Sequence, residues 1–197
     1  MHKALIGFDK NEYPEIEIFQ KYFECDFCEY NEDYFIKNIS KYTILVPHLY
    51  LDLSSKLIGQ ANNLKYLFTP STGTNHIDLQ SVKENDINFY CLSDNADFIS
   101  EISSTAELAW LLILSANRKI IPLNRRVISE NSWKNNDIRG NQLKNKTIGI
   151  IGFGRLGKMV YEYAKSFDMN ILIYDIDENS VLGFENHVID FDGLIKS

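Results

Sequence analysis

The chain has 197 residues, 45% hydrophobic and 24% charged, with 4 Pro and 10 Gly, a composition that excludes disordered, collagen-like and low-complexity classes. Its formal net charge of −7 argues against a nucleic-acid surface, which needs a basic face to displace counterions. The longest strongly apolar run, residues 108–115, is far short of the roughly 20 residues of a membrane helix, and the N-terminal MHKALIGFDKNEYPE has no signal-peptide pattern; neither a membrane nor a nucleic acid is an expected partner.

Short apolar runs alternate with helix-length amphipathic segments. Ala4–Phe8, Glu24–Cys28, Thr43–Val46, Leu64–Thr69 and Ile87–Leu92 read as strands. Between them, Glu15–Phe23, Asp33–Ser40, Leu53–Gln60 and Leu79–Asn85 read as helices. Apolar strands separated by helices are the signature of a parallel sheet covered on both faces, so this half is expected to be a flavodoxin-like α/β domain over residues 1–95.

Ser93–Ser103 breaks the pattern and reads as a crossing between domains. Ser104-Thr-Ala-Glu107 has the spacing of a capping box, opening a helix over Thr105–Ile120 that is apolar nearly all round. A helix with no polar face must be covered, which predicts a homodimer built on residues 104–121. Asn124–Asn131 reads as a polar helix and Ser132–Lys146 as a loop-rich return. Thr147–Ile151, Asn170–Tyr174 and His187–Ile189 then read as strands and Arg155–Phe167 as a helix, an incomplete dinucleotide-binding domain over residues 96–197.

The chemistry-bearing motif is Gly152-Phe-Gly154-Arg-Leu-Gly157, set between a strand and a helix. Asp175 ends the following strand, at the roughly 20-residue interval of the dinucleotide fingerprint. Gly152 permits the tight turn, Gly154 admits a pyrophosphate and Gly157 lets helix and strand close up. The N–H groups of Arg155 and Leu156, at the positive end of the helix dipole, meet the phosphates. Asp175 accepts the adenosine ribose hydroxyls. With Asp177 and Glu178 close by and no nearby Arg, the expected cofactor is NAD rather than NADP.

The run from Arg139 to Asp175 resembles the cofactor-domain entry of the D-isomer-specific 2-hydroxyacid dehydrogenases, closest to phosphoglycerate-dehydrogenase-like members. Ser71-Thr-Gly-Thr-Asn-His-Ile-Asp78 is similar to that family's substrate loop, and Ser104–Leu112 to its interdomain helix. The resemblance implies hydride transfer between NAD and a small 2-hydroxy acid, with backbone N–H groups of Thr72 and Gly73 on the substrate carboxylate and Thr72 also near the nicotinamide. It implies that the interdomain helix belongs to a dimer core. The family's catalytic Arg, Glu and His lie beyond the third strand of the cofactor domain, so no catalytic residue is assigned in this chain. It is expected to be a fragment inactive alone, with an exposed apolar sheet edge at His187–Ile189 where the missing half packs. The alternative is a degenerate dehydrogenase kept as a nucleotide-binding or dimerisation scaffold.

Where phosphoglycerate-type members carry a substrate-binding Arg, this chain has Val46-Pro-His-Leu49, and in the turn before the strand Asn145 replaces the usual Gly, a swap the left-handed region tolerates. His48 follows a strand that faces the cleft and is a candidate substrate contact; His76 reads as packing, and His2 and His187 as surface or strand-edge residues. Cys25-Asp-Phe-Cys28 has metal or redox spacing without a second pair and reads as structural, so no metal is expected. Three cysteines that cannot all pair fit a reducing cytosol.

Overall fold

The computed structural model describes residues 2–11, 13, 17–28, 31–131 and 138–197. The chain divides into two compact units, Met1–Ile99 and Ser100–Ser197.

In the first unit, β1 (Lys3–Ile6), β2 (Glu24–Phe27), β3 (Ile44–Val46), β4 (Tyr66–Thr69) and β5 (Asn88–Cys91) form a five-stranded parallel sheet in the order β2-β1-β3-β4-β5. Each strand is no longer than the run that marks it: β1, β2 and β5 stop before the run ends, whereas β3 and β4 start after it begins. Helices α2 (Glu32–Asn38), α3 (Ser55–Ile58) and α4 (Leu79–Glu84) connect successive strands from β2 to β5, and α1 (Glu17–Gln20) connects β1 to β2. The expected first helix starts in residues outside those described. Asn31 caps α2 by accepting from the Tyr34 N–H, and Asp78 caps α4 by accepting from Ser81 N–H, each satisfying an orphan donor of the first turn. Leu5, Leu45 and Leu67, on adjacent strands, are fully buried with Phe35, Leu51 and Leu53 in the larger of this unit's two apolar clusters. Truncating one such leucine to alanine costs about 2–5 kcal/mol.

The segment 93–103 is not an open crossing. A short 3₁₀ turn (Leu92–Asp94) and α5 (Ala96–Ser100) occupy most of it.

The second unit starts with α6 (Ser104–Asn117), N-capped one residue earlier than expected, at Ser103. Ser103 Oγ donates to the Glu107 carboxylate rather than the serine accepting from backbone, so the expected capping box is not formed. Lys119, at φ +58°, separates α6 from α7 (Ile120–Glu130), ending the predicted single helix early. Nor is α6 buried all round: Ala106 and Trp110 are covered, while Leu108, Leu111 and Leu112 are more than half exposed.

β6 (Thr147–Ile151) and β7 (Asn170–Tyr174) pair in parallel around α8 (Arg155–Ser166), and α9 (Phe191–Lys196) follows. Asn145 takes the left-handed conformation at φ +63°, as expected for a residue standing in for glycine. The expected third strand, His187–Ile189, is reduced to one bridge, Ile173 to Val188, after a 3₁₀ turn at Glu185–His187. Val188 is 42% exposed at that edge, and a second open edge lies along β6, which pairs with no strand but β7 among the described residues. A cleft of about 870 Å³ runs beside β6, lined by Ile113, Ile148, Ile150, Leu156 and Val160, and Ile151 is 58% exposed. The open side of β6 follows from sheet order: a doubly wound sheet grows outward from its first strand in both directions, and here only one direction is occupied among the described residues.

Candidate cofactor and substrate sites

The second unit's glycine turn is assembled from three backbone requirements. Gly152 sits at φ +90°, open to glycine without strain, and its N–H donates to Tyr174 O at 2.8 Å, holding the turn on β7. A Cβ on Gly157 would lie 2.2 Å from Gly152 O, so only glycine lets α8 start this close to the turn. A Cβ on Gly154 would meet nothing within 4 Å, leaving its outer face open to an incoming group. The first helical bond belongs to Lys158, which donates to Gly154 O at 3.0 Å, so the N–H groups of Arg155 and Leu156 point out of the helix start without a helical acceptor. Those donors, the dipole and the open face at Gly154 fit a pyrophosphate.

Phe153 anchors the turn from below. It is fully buried and meets Phe184 edge-on at 4.8 Å and Tyr161 at 5.7 Å. Arg155 Nη1 donates to Ile102 O at 2.5 Å, tying the start of α8 to the residues before α6. Neither role was readable in the motif, whose second position accepts any residue; the apolar identity of Phe153 is the one clue.

Asp175 stands at the end of β7, beside the turn. Its Oδ1 accepts from Asp177 N at 2.8 Å and its Oδ2 from Phe153 N at 2.5 Å. These backbone donors hold its carboxyl below the usual carboxylate range, so it is ionised at neutral pH, with lone pairs left for two ribose hydroxyls. Gly152, Gly154, Arg155, Leu156, Gly157 and Asp175 thus converge on one turn.

His187, expected at the surface or a strand edge, is half-buried: Nε2 lies 3.2 Å from Tyr161 Oη and Nδ1 3.1 Å from Ile171 O. It braces the unit and takes no part in this site.

In the first unit, Thr72 and Gly73 lie exposed on the loop after β4. The backbone N–H groups of Thr72, Gly73 and Thr74 donate to no group among the described residues. Successive amides left open in a turn suit an anionic group. The loop is held by a hydroxyl chain: buried Thr69 Oγ1 is 2.7 Å from Ser71 Oγ, which donates to Gly73 O at 2.7 Å. Cys91 Sγ donates to Ser71 O at 3.0 Å. Thr69, Ser71 and Cys91 are supports that sequence reasoning missed, since no spacing links β5 to this loop.

His76, on the same loop, has a buried Nε2 with no partner among the described residues, and burial pulls its pKa below the usual histidine value while the Asp52 charge opposes. His48 follows β3 in an aromatic group with Phe8 and Tyr50. Neither Cys25 nor Cys28 forms a disulfide among the described residues, and no group of metal-ligating side chains occurs among them.

Residues 110–197 match the family described as D-isomer specific 2-hydroxyacid dehydrogenase, NAD binding domain. Over 164 residues the chain is 32% identical to a D-3-phosphoglycerate dehydrogenase from Archaeoglobus fulgidus, a match covering 82% of this chain and 30% of the relative. The fold is similar to that of the TT0316 protein from Thermus thermophilus, with a TM-score of 0.84 and 18% identity over 98% of this chain and 61% of that one. It is also similar to that of D-lactate dehydrogenase from Aquifex aeolicus complexed with NAD and lactic acid, with a TM-score of 0.78 and 23% identity over 98% of this chain and 57% of that one. The chain therefore spans less than two thirds of each relative's own length.

Proposed function

Because the chain belongs to the D-isomer specific 2-hydroxyacid dehydrogenase family, with NAD as its cofactor, we propose that it supplies two binding sites for a hydride transfer between that cofactor and the C2 of a small 2-hydroxy acid. The glycine turn carries this reading: its open face at Gly154, the outward N–H groups of Arg155 and Leu156 and the ionised Asp175 suit the pyrophosphate and adenosine ribose of NAD. Bound NAD supplies the hydride acceptor. The chain's own residues orient it: the amides fix the phosphates, and Asp175, beside Asp177 and Glu178, disfavours a 2′-phosphate by charge. Thr72 and Gly73 hold the substrate carboxylate through backbone N–H groups.

No Arg, Glu or His of this chain is assigned a catalytic role, and we propose that the 197 residues alone bind cofactor without turning over. The two-stranded sheet of the second unit, against six in a full dinucleotide domain, supports this and also favours a second reading, a nucleotide-binding or dimerisation scaffold. The exposed apolar faces of α6 and α7 (Leu108, Leu111, Leu112, Ile121, Ile128) support a homodimer. The stretch Ala96–Asn117 has the length and apolarity of a membrane-crossing helix, but it is broken between Ser100 and Ser104, and we assign its leucines to a second copy in a reducing cytosol.

Calorimetric titration with NAD and ADP-ribose tests the reading. Comparable affinities, within about threefold, are expected if only the adenosine half is held. Absence of binding by both ligands contradicts it.

A further inference from the structure

Three peptide planes join Ser71 to Thr74 in the turn after β4, and two of them are fixed at the carbonyl. In a trans peptide the C=O and the next residue's N–H point in opposite directions, so a donor that holds the carbonyl also aims the amide. The Ser71 carbonyl accepts from Cys91 Sγ at 3.0 Å and from Leu92 N at 3.3 Å, both at the end of β5. The Thr72 N–H across that peptide is thereby turned away from β5. The Gly73 carbonyl accepts from Ser71 Oγ at 2.7 Å, which turns the Thr74 N–H away from Ser71. Thr74 is held on its other side as well, where its carbonyl accepts from Ile77 N at 2.9 Å.

Packing does not hold the Gly73–Thr74 peptide. A Cβ on Gly73 would meet nothing within 4 Å, and Thr72 and Gly73 are both exposed. Glycine also gives up more backbone freedom on being fixed than any other residue. The orientation of this peptide therefore depends on the Ser71 hydroxyl.

Counting protons gives the direction of the chain. Ser71 has one hydroxyl proton and spends it on Gly73 O, so Thr69 is the donor in the 2.7 Å contact between Thr69 Oγ1 and Ser71 Oγ. Thr69 is buried, and hydrogen bonds linked in one direction polarise each other, so the buried hydroxyl strengthens the exposed bond at the end. The thiol is fixed in the same manner, since Cys91 Sγ donates to Ser71 O and accepts from Ser93 Oγ at 3.0 Å.

Resting on the substrate reading above, we propose that Ser71 is a positioning residue for the substrate carboxylate, and that the Thr74 N–H it aims is a third donor beside those of Thr72 and Gly73. Ser71 acts through the Gly73 carbonyl, and the Thr74 N–H donates to no group among the described residues. The isotope-labelled full chain is titrated with pyruvate while its amide resonances are followed. Pyruvate is expected to shift the Thr72, Gly73 and Thr74 amides together. Ser71→Ala is expected to weaken pyruvate binding by about threefold or more, the worth of one hydrogen bond, and to move the Thr74 resonance before any ligand is added. Ser71→Thr keeps the hydroxyl and is expected to bring pyruvate affinity back to within about twofold of the original. Equal affinity in the original chain and Ser71→Ala overturns the role of Ser71, and so does a loss in Ser71→Thr as large as that in Ser71→Ala. A Thr74 amide that stays unmoved while Thr72 and Gly73 shift overturns the third donor and leaves the carboxylate site standing. If pyruvate moves none of the three amides in the original chain, the carboxylate site falls and the proposal with it.

Discussion

Two glycines of one turn separate stability from ligand binding. Gly157→Ala pushes a methyl group to 2.2 Å from Gly152 O, so the backbone must shift, at a cost of about 1–3 kcal/mol by urea unfolding. Gly154→Ala meets nothing, at a φ of −73° that alanine adopts freely, and is expected to leave stability within about 1 kcal/mol of the original or to raise it. The same methyl blocks phosphate approach, and NAD affinity is expected to fall at least tenfold by titration. Loss of stability in Gly154→Ala with NAD binding intact would contradict the assignment. In the first unit, Tyr42 Oη donates to Asp26 Oδ2 at 2.8 Å and Lys3 Nζ lies 3.0 Å from the same oxygen. Lys3 first, then Tyr42, holds the Asp26 carboxyl below its usual range. A lowered folded-state pKa stabilises above the unfolded carboxylate value, about 3.9, and that contribution is lost as pH falls through the folded value. Tyr42→Phe is expected to cost about 1 kcal/mol at pH 7 and to flatten the loss of stability below pH 4, as read by thermal melts across pH. Asp26 is partly solvent-exposed, so the effect stays small.

Among the elements, the five strands of the first unit were legible because each is a run of apolar residues with both faces covered, a pattern that owes little to side-chain detail. The supports of the substrate loop were not, because Thr69, Ser71 and Cys91 meet through space between β4 and β5. Helix α6 shows a different limit. An apolar residue at every face says that the helix needs cover but not where the cover comes from, and Leu108, Leu111 and Leu112 remain open within this chain. Helix α7, read as polar, buries no residue and exposes Ile121 and Ile128 alongside them. Leu112→Asp is expected to convert a dimer to monomer in sedimentation equilibrium with the circular dichroism unchanged. A wild-type chain that sediments as a monomer at high micromolar concentration would contradict the dimer.

At the scale of the whole molecule, the order of the units and the glycine fingerprint were readable in the sequence. The open edge at β6 was not, because the order of strands in the sequence does not say which side of the first strand stays unpaired. That edge and the two-stranded sheet lead to the expectation that purified chain oxidises no NADH with any 2-oxo acid, followed at 340 nm; measurable turnover would show that the catalytic roles are filled within it. The central claim is that the turn at Gly152–Gly157, with Asp175, holds NAD. Titration of NAD into the chain, with NADP in parallel, tests it most directly. Saturable binding of NAD at least tenfold tighter than NADP is expected, whereas no binding of NAD, or equal affinity for NADP, would contradict the assignment.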